Sequence, residues 1–148
     1  MRDRIGTPRL AIDPKKIVGI VKCDTPDEVG GFDELNDVTR QIGQNVSNFL
    51  VRELKAGRIP REFLPIQSGV GNIANAVMAA LGESADIPSF EMYTEVIQDS
   101  VIGLIDSGKI RYASGCSLTI SSALLQHVYA DLERYKKHIV LRPQEISN

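Results

Sequence analysis

From residue 63 onward, short apolar runs alternate with stretches in which apolar residues recur every three or four positions. The short runs predict strands, and the longer recurrences predict helices. Strands that alternate with helices of about ten residues are typical of β-α-β units. We therefore predict an α/β fold with a mostly parallel sheet and flanking helices. The predicted strands cover 63–67, 90–96, 109–114 and 139–141, and the predicted helices cover 73–81, the stretch between Gln98 and Gly108, and the stretch from Thr119 or Ser121 to about Lys136.

Before residue 57 the pattern contains only one predicted strand and one long predicted helix. The β-branched run at 17–22 predicts a buried strand. The helix is predicted to begin at a cap on Asn36 or Asp37 and to end at Gly57. One strand and one helix are too little for a separate core, so we place a boundary near 57–62. The apolar stripe predicted for this helix consists of Val38, Ile42, Val46, Phe49, Leu50 and Leu54.

Composition and charge narrow the classes of protein and partner. The chain has 148 residues, of which 43% are hydrophobic and 24% charged, which is typical of one globular domain with a real core. The 17 basic and 19 acidic residues give a net charge of −2, so we expect no nucleic-acid partner. No apolar run approaches the roughly 20 residues that span a bilayer. The first ten residues also lack the apolar stretch of a signal peptide, so we expect no membrane association and a cytoplasmic location.

Cysteine and histidine residues are too few to suggest a metal site. Cys23 and Cys116 form no C-x-x-C pair, which argues against structural zinc and thioredoxin-like chemistry. We expect both to be reduced and to serve as small apolar core residues. His127 and His138 are expected to have structural roles, and no metal is predicted.

A glycine-containing segment connects a predicted strand to a predicted helix. In Gln67-Ser68-Gly69-Val70-Gly71-Asn72, the glycines let a ligand approach the backbone closely. The helix that follows offers N–H groups and a partial positive charge to an anion. Ligands of parallel sheets bind at such carboxyl ends of strands. The third glycine of the dinucleotide fingerprint and the lysine of a P-loop are both missing, so a plain tight turn remains an alternative.

Glu95 is the candidate reactive carboxylate. It closes the predicted strand 90–96, which we expect to leave the sheet at the same edge as the glycine segment. Its side chain is then expected to face that segment rather than bulk solvent, and to share a strand face with Glu91. A carboxylate beside N–H donors can act as a base or a nucleophile. A structural Glu95 beside a helix N-terminus is the alternative, and the rival carboxylate of Asp99 is expected to cap the next helix.

Two further polar clusters attract attention without indicating catalysis. The hydroxyl-rich run at 114–122 lacks a G-x-S-x-G motif, and we expect its side chains to cap helices and turns. Arg52, Lys55, Arg58 and Arg61 gather near the end of the long helix. They could favour an anionic ligand, or simply complement the negative end of the helix dipole.

Three separated blocks of sequence resemble one enzyme family in the same order. These are LPIQSGVGNIANAV at 64–77, YTEVIQD at 93–99 and IVLRPQEISN at 139–148. Together with RIGTP at 4–8 and DPKKIV at 13–18, they resemble the acetyl-CoA hydrolase/transferase family, and especially its succinyl-CoA:acetate CoA-transferase branch. The resemblance covers nearly the whole chain.

This resemblance implies an incomplete fold of CoA-transferase type. Family members are several-fold longer and have two α/β domains, and their later G-x-G-G loop has no counterpart in this sequence. Residues 1–58 then correspond to the end of the first domain, and residues 59–148 to the start of the second, which binds CoA and carries the catalytic residue. For the full-length protein, the resemblance implies a homo-oligomer, namely a dimer.

The resemblance also implies a covalent mechanism. It assigns Glu95 as the nucleophile, which forms an acyl-glutamyl anhydride and then a glutamyl-CoA thioester with acyl-CoA. A small carboxylate then accepts the CoA. In the hydrolase reaction, water takes the place of this carboxylate. CoA is a substrate, and neither a permanently bound cofactor nor a metal is implied. The CoA-binding residues that the resemblance implies are Gln67, Ser68, Gly69, Val70, Gly71, Asn72 and Ile73. The alternatives are a non-catalytic anion- or nucleotide-binding module and an inactive truncated fragment.

Overall fold

A computed structural model describes residues 11–25 and 34–146 of the chain. A 3₁₀ turn at Pro14–Lys16 precedes the longer elements. Those elements are α1 (Asp37–Lys55), α2 (Asn72–Glu83), β1 (Phe90–Tyr93), β2 (Val96–Ile97), α3 (Asp99–Asp106), β3 (Ile110–Gly115), β4 (Ser117–Leu118), α4 (Ser122–Ala130), α5 (Leu132–Tyr135), β5 (Ile139–Leu141) and α6 (Pro143–Ile146).

The sheet is parallel throughout, which confirms the predicted α/β class. Three strands lie in the order β1-β3-β5, and β2 and β4 form a second parallel pair. Because β2 follows β1 and β4 follows β3 along the chain, the β2–β4 pair continues the β1–β3 pair after a break. At this break the N–H of Thr94 donates to Ser114 O at 2.9 Å, and the N–H of Cys116 donates to Glu95 O at 2.6 Å. The strand predicted over 90–96 is therefore two short strands.

The hydrophobic core lies where α2 and α3 cover the sheet. Period-two alternation in β1 turns Phe90 and Met92 inward. The inward face of α3 supplies Val101, Ile102 and Ile105. The side chains that complete this core include Met78, Leu81, Ile87, Ile97, Ile110, Ile120, Leu125 and Tyr135. This packing fixes the carboxyl ends of the strands relative to the helices that follow them.

Helix α1 packs closely on α2 through small residues. Gly43 and Ser47 are its buried positions, and the Ser47 hydroxyl donates to Ala80 O at 3.3 Å. The predicted apolar stripe is thus partly wrong, because Val38 and Phe49 are 68% and 50% exposed. A close approach through glycine and serine rotates the packing face away from those two side chains.

Both ends of α1 agree with the prediction. Asn36 and Thr39 form a reciprocal capping box, with bonds of 2.9 Å and 3.1 Å. Gly57 follows the helix with a φ of 73°, a value that favours glycine. The domain boundary proposed near 57–62 follows directly after this turn, and it stays a prediction.

Two predicted strands are wrong or reduced. Residues 17–22 form no strand, and Val18, Ile20 and Val21 are 89% exposed or more. A strand needs a neighbour to satisfy its backbone groups, and no residue in the described ranges pairs with this run. The strand predicted at 63–67 is reduced to one parallel bridge between Ile66 and Met92.

Other differences concern α4 and the cysteines. The helix predicted to run to about Lys136 is interrupted at Asp131, which separates α4 from α5. Cys23 is exposed and Cys116 is only partly buried, so the prediction that both are core residues is wrong.

His138 contacts the backbone of β3, since its Nδ1 atom lies 2.9 Å from Arg111 O. Within the described ranges, no helix combines the length and apolar character that a membrane crossing requires.

Candidate functional site

The glycine segment, residues 67–72, forms the predicted turn from the sheet edge into α2. We call it the glycine turn. Ser68 is buried, whereas Gly69 and Val70 are exposed. Gly71 is the N-cap of α2 with a φ of 125°, a conformation that side chains other than glycine rarely adopt. Gly71 O then accepts the N–H of Asn75 at 3.0 Å, which begins the helical hydrogen bonding. Local backbone geometry therefore requires glycine at 71.

Three consecutive backbone donors in this turn remain available to a ligand. The N–H groups of Gly69, Val70 and Gly71 make no hydrogen bond with any residue that the structure describes. A Cβ added at Gly69 would meet nothing within 4 Å, so the space beside this backbone is open. These donors lead into the N-terminus of α2, where the helix dipole favours an anion.

The remaining predicted binding residues flank these donors. The amide Nε2 of Gln67, an exposed residue, donates to Ser68 O at 3.2 Å. Asn72 is partly buried and begins α2. Val70 and Ile73 are apolar side chains that are 64% and 54% exposed. The turn thus combines polar backbone with accessible apolar side chains, which suits a ligand that has both characters.

Glu95 lies in the break between β1 and β2, directly after the carboxyl end of β1. Its backbone oxygen is held by the N–H of Cys116. Its side chain is exposed and has no hydrogen bond or ion pair with the described residues. The expectation that it is turned away from bulk solvent is therefore wrong, whereas its orientation toward the turn stays a prediction. The expected shared face with Glu91 also ends here, because the strand does not continue through the break.

Two buried side chains beside Glu95 hold the glycine turn. The Thr94 hydroxyl donates to Ser68 O at 2.8 Å and accepts the Ser68 N–H at 3.3 Å. The amide Nε2 of Gln98 donates to Gly69 O at 2.7 Å. The structure therefore brings the turn and the segment around Glu95 together, as the β-α order predicts.

Sequence reasoning gave no site role to Thr94 or Gln98. A signal for Thr94 existed, because it continues the inward positions of Phe90 and Met92 at a spacing of two. A polar side chain at such a position needs a buried partner. No comparable signal marks Gln98, whose partner lies 29 positions away along the chain.

Asp99 does not cap α3 as predicted. It is the first residue of that helix, and Gln98 is the N-cap without a side-chain cap bond. Asp99 Oδ1 instead accepts the N–H of Ser121 at 2.7 Å, and Ser121 is the N-cap of α4. Because Gln98 also reaches the turn before α2, the N-termini of α2, α3 and α4 are linked at one edge of the sheet.

The basic cluster is far from this edge. Lys55 pairs with Asp86 at 2.8 Å, and Arg58 pairs with Glu53. The hydrogen bond from Arg58 holds the pKa of the Glu53 carboxyl below its ordinary value. Asp86 follows the C-terminal end of α2, whereas the glycine turn precedes its N-terminal end. A helix of 12 residues is about 18 Å long, so these charges do not belong to the glycine turn.

The described residues contain no cluster suited to a metal ion. No group of three or more His, Cys, Asp or Glu side chains converges within these ranges.

Curated proteins related to this sequence cover almost all of it. The chain is 54% identical over 146 residues to a propanoyl-CoA:succinate CoA transferase of Escherichia coli strain K12. It is 43% identical over 146 residues to a succinyl-CoA:acetate CoA-transferase of Clostridium kluyveri. It is 39% identical over 147 residues to an acetyl-CoA hydrolase of Neurospora crassa. Each match includes 99% of this chain but only 30%, 27% and 28% of the respective relative. No family model matches the chain.

Proposed function

Because this chain belongs to the same family as these acetyl-CoA hydrolases and CoA-transferases, we propose that it is their CoA-transfer segment. In this proposal the chain supplies the nucleophilic carboxylate, Glu95, and the backbone donors that receive acyl-CoA, residues 67–73. The chain spans about 30% of the length of the first relative. The rest of the acyl-CoA site is therefore proposed to come from other parts of the full-length protein.

The observation that carries the proposal is the contact between the glycine turn and the segment on both sides of Glu95. Thr94 precedes Glu95 and holds Ser68, while Gln98 follows it and holds Gly69. A ligand bound at the donors of the turn is therefore next to the backbone of the candidate nucleophile. The exposed Glu95 side chain can reach a substrate, because it forms no hydrogen bond or ion pair with a described residue.

The first half of the proposed reaction transfers CoA from the acyl group to Glu95. A Glu95 carboxylate oxygen attacks the thioester carbonyl, the C–S bond breaks, and CoA leaves as a thiolate. The product is an acyl-glutamyl anhydride. The thiolate then attacks the Glu95 carbonyl of this anhydride, the acyl group leaves as its carboxylate, and a glutamyl-CoA thioester remains. Covalent catalysis divides one difficult transfer into easier steps.

The second half of the proposed reaction passes the CoA to an acceptor and regenerates the free Glu95 carboxylate. An acceptor carboxylate attacks the glutamyl-CoA carbonyl and releases the thiolate, which then attacks the acceptor's own carbonyl and frees Glu95. Attack by water on the thioester gives hydrolysis instead. Each attack develops negative charge on a carbonyl oxygen, and preorganised N–H donors stabilise such charge. The unpaired donors of Gly69, Val70 and Gly71 are groups of this kind.

The proposed domain organisation places the boundary near 57–62. Residues 1–58 would then complete a first domain, and residues 59–148 would begin the second. Helix α1 packs on α2 across this boundary, so the two proposed parts share an interface. The dimer implied by the family resemblance remains a proposal for the full-length protein.

Trapping of the covalent intermediate tests this function. The full-length protein that contains this segment is incubated with acyl-CoA and treated with borohydride or hydroxylamine, and its peptides are analysed by mass spectrometry. We expect the modification on the peptide that contains Glu95. Glu95→Gln keeps the shape of the side chain, but an amide is a very poor nucleophile, so both adduct and turnover should be lost. Glu95→Asp withdraws the carboxylate by about 1 Å and should lower turnover roughly 10²-fold.

Glu91→Gln is the matched control, because Glu91 is a nearby carboxylate residue within β1. It should keep both turnover and the adduct. An adduct on a different peptide, or full turnover by Glu95→Gln, would refute the proposed mechanism. Saturable CoA binding without any adduct or turnover in the unmodified protein would instead identify a non-catalytic binding module.

A further inference from the structure

We propose that Thr94 and Gln98 form a clamp that positions the glycine turn relative to Glu95 for the chemical step. This inference rests on the proposed function, because it assigns the clamp to the reaction at Glu95. Neither residue needs to touch the reacting atoms, so both are positioning residues. The first of them precedes Glu95 by one position, and the second follows it by three.

Thr94 holds the turn at its first residue. Its hydroxyl donates to Ser68 O at 2.8 Å and accepts the Ser68 N–H at 3.3 Å, and it also lies 3.4 Å from Val96 O. Thr94 as a whole is 1% exposed, so water does not compete for these bonds. The N–H of Thr94 also donates to Ser114 O. The residue therefore connects the turn to the central strand of the sheet.

Gln98 holds the turn one residue later, from the other side of Glu95. Its amide nitrogen donates to Gly69 O at 2.7 Å, and the residue is 2% exposed. Its backbone oxygen accepts the N–H of Val101 at 2.9 Å in the first turn of α3. A rigid helix start therefore carries the amide that fixes Gly69.

The chemistry of Gln98 argues for more than packing. Its Oε1 atom is buried and has no hydrogen-bond partner among the described residues. An unpaired buried acceptor lowers stability, and an apolar side chain of similar size would fill the same space without that cost. What glutamine adds is the single directional bond to Gly69 O. This bond orients the peptide that leads into the unpaired donors of the turn.

The clamp has a kinetic consequence under the proposed mechanism. The donors at 69–71 must meet the oxygen that develops charge while the Glu95 carboxylate attacks. A misplacement of about 1 Å can lower a rate roughly 10²-fold. Loosening the turn should therefore slow the chemical step more than it weakens CoA binding.

The test uses the full-length protein with two substitutions that preserve shape. Gln98→Met removes the donor, and Thr94→Val removes the hydroxyl. We expect the kcat of each, measured per folded and active-site-titrated enzyme, to fall about 10-fold to 100-fold, while the Kd for CoA changes less than about threefold. Thr94→Ser keeps the hydroxyl and should recover kcat to within about threefold. Hydrogen exchange of the Ser68 N–H, which donates to the Thr94 hydroxyl, should be faster in Thr94→Val and close to that of the unmodified protein in Thr94→Ser.

Ser47→Ala provides the matched control. Ser47 is buried and also donates to a backbone carbonyl, Ala80 O, but within the α1–α2 interface. Its loss should lower stability without changing kcat per folded enzyme. This variant separates general destabilisation from displacement of the turn.

The outcomes distinguish the clamp from the proposed function. If Glu95→Gln is inactive but Gln98→Met and Thr94→Val keep kcat within threefold, the clamp is refuted and the nucleophile stands. If Thr94→Ser is as slow as Thr94→Val, the hydroxyl bonds are not the cause and the clamp is also refuted. Full turnover by Glu95→Gln removes the reaction that the clamp serves and refutes both. Should Gln98→Met fail to fold, the two Thr94 variants decide the question.

Discussion

The packing of α1 on α2 predicts that a single methyl group at Gly43 destabilises the protein. A Cβ built at this position would lie 2.6 Å from the backbone carbon of Ala76, and closer still to its carbonyl oxygen. An ordinary contact for a Cβ atom begins at about 3.4 Å. The contact with the carbon is therefore short by about 0.8 Å, the contact with the oxygen is short by more, and Gly43→Ala forces the two helices apart. The obstacle is backbone, which cannot rotate out of the way as a side chain can.

The expected magnitude follows from two opposing effects. Overpacking of a close interface costs typically about 1–3 kcal/mol. Replacing glycine by alanine inside a helix ordinarily gains about 1 kcal/mol through its intrinsic propensity. Because the clash is with backbone, the cost should lie in the upper part of its range. We therefore expect Gly43→Ala to lower the free energy of unfolding by roughly 1–2 kcal/mol.

Two other helical glycines provide matched controls for this expectation. Gly103 in α3 is exposed, and a Cβ there would meet nothing within 4 Å. Gly103→Ala should therefore show only the gain in propensity, about 0.5–1 kcal/mol of added stability. A Cβ at Gly82 would meet the end of the Leu104 side chain. Gly82→Ala should fall between the other two variants, since that flexible side chain can move.

Urea unfolding of the full-length protein, followed by circular dichroism, measures all three variants with a shared m-value. The reasoning predicts the order Gly103→Ala, Gly82→Ala, Gly43→Ala from most to least stable. A Gly43→Ala protein as stable as the Gly103→Ala protein would refute the close packing of α1 on α2. Such a result would also remove the interface that is proposed to span the domain boundary.

The remaining predictions concern the sheet edge and the C-terminal helices. Gly69→Val should weaken CoA binding measured by calorimetry, since a side chain would fill the open space beside the donors, while the unfolding free energy changes by less than about 0.5 kcal/mol; unchanged affinity would contradict the binding assignment. Asp99→Ala should cost about 1 kcal/mol in urea unfolding, because the Ser121 N–H loses its acceptor, and an unaltered midpoint would argue against that bond. Burial, and then the hydrogen bond to Asp106, raise the pKa of Tyr135 above its ordinary value. The neutral phenol is therefore favoured by folding, and its contribution is complete below about pH 10 and lost as pH rises through the raised pKa. Tyr135→Phe should reduce this alkaline loss of stability relative to the unmodified protein, and equal pH profiles would contradict it.

Elements that depend on local pattern were predictable from the sequence. The cap at Asn36, the stop at Gly108 and the strand β3 each follow from residues within a few positions of one another. The parallel topology also followed, because alternating strands and helices leave little other choice. The edge at which the glycine turn meets the segment around Glu95 is a direct consequence of that topology.

Features that depend on distant partners were not predictable in the same way. The run at 17–22 has the composition of a buried strand, but a strand forms only beside another strand, and the composition does not name the partner. The alternation over 90–96 continues through the break at Glu95, so the pattern gives no sign of it. Asp99 is predicted to cap α3 because capping preferences describe only the helix that follows a residue. Its actual partner, the N–H of Ser121, lies 22 positions away. Close packing at Gly43 likewise depends on the backbone of another helix.

The position of Glu95 suggests which groups of the proposed enzyme serve both transfer and hydrolysis and which groups select between the two reactions. The backbone of Glu95 is fixed by the sheet through Cys116, and its two flanks are held on the glycine turn by Thr94 and Gln98. Its carboxylate, in contrast, is exposed. Under the proposed mechanism, a glutamyl-CoA thioester reacts with whichever acceptor reaches it, either water or a carboxylate. Under this mechanism the segment would supply a nucleophile on a fixed backbone and donors for the developing charge, and these would be common to transfer and hydrolysis. The choice between the two reactions then belongs to the groups that cover Glu95 in the full-length protein, because those groups decide whether water reaches the thioester.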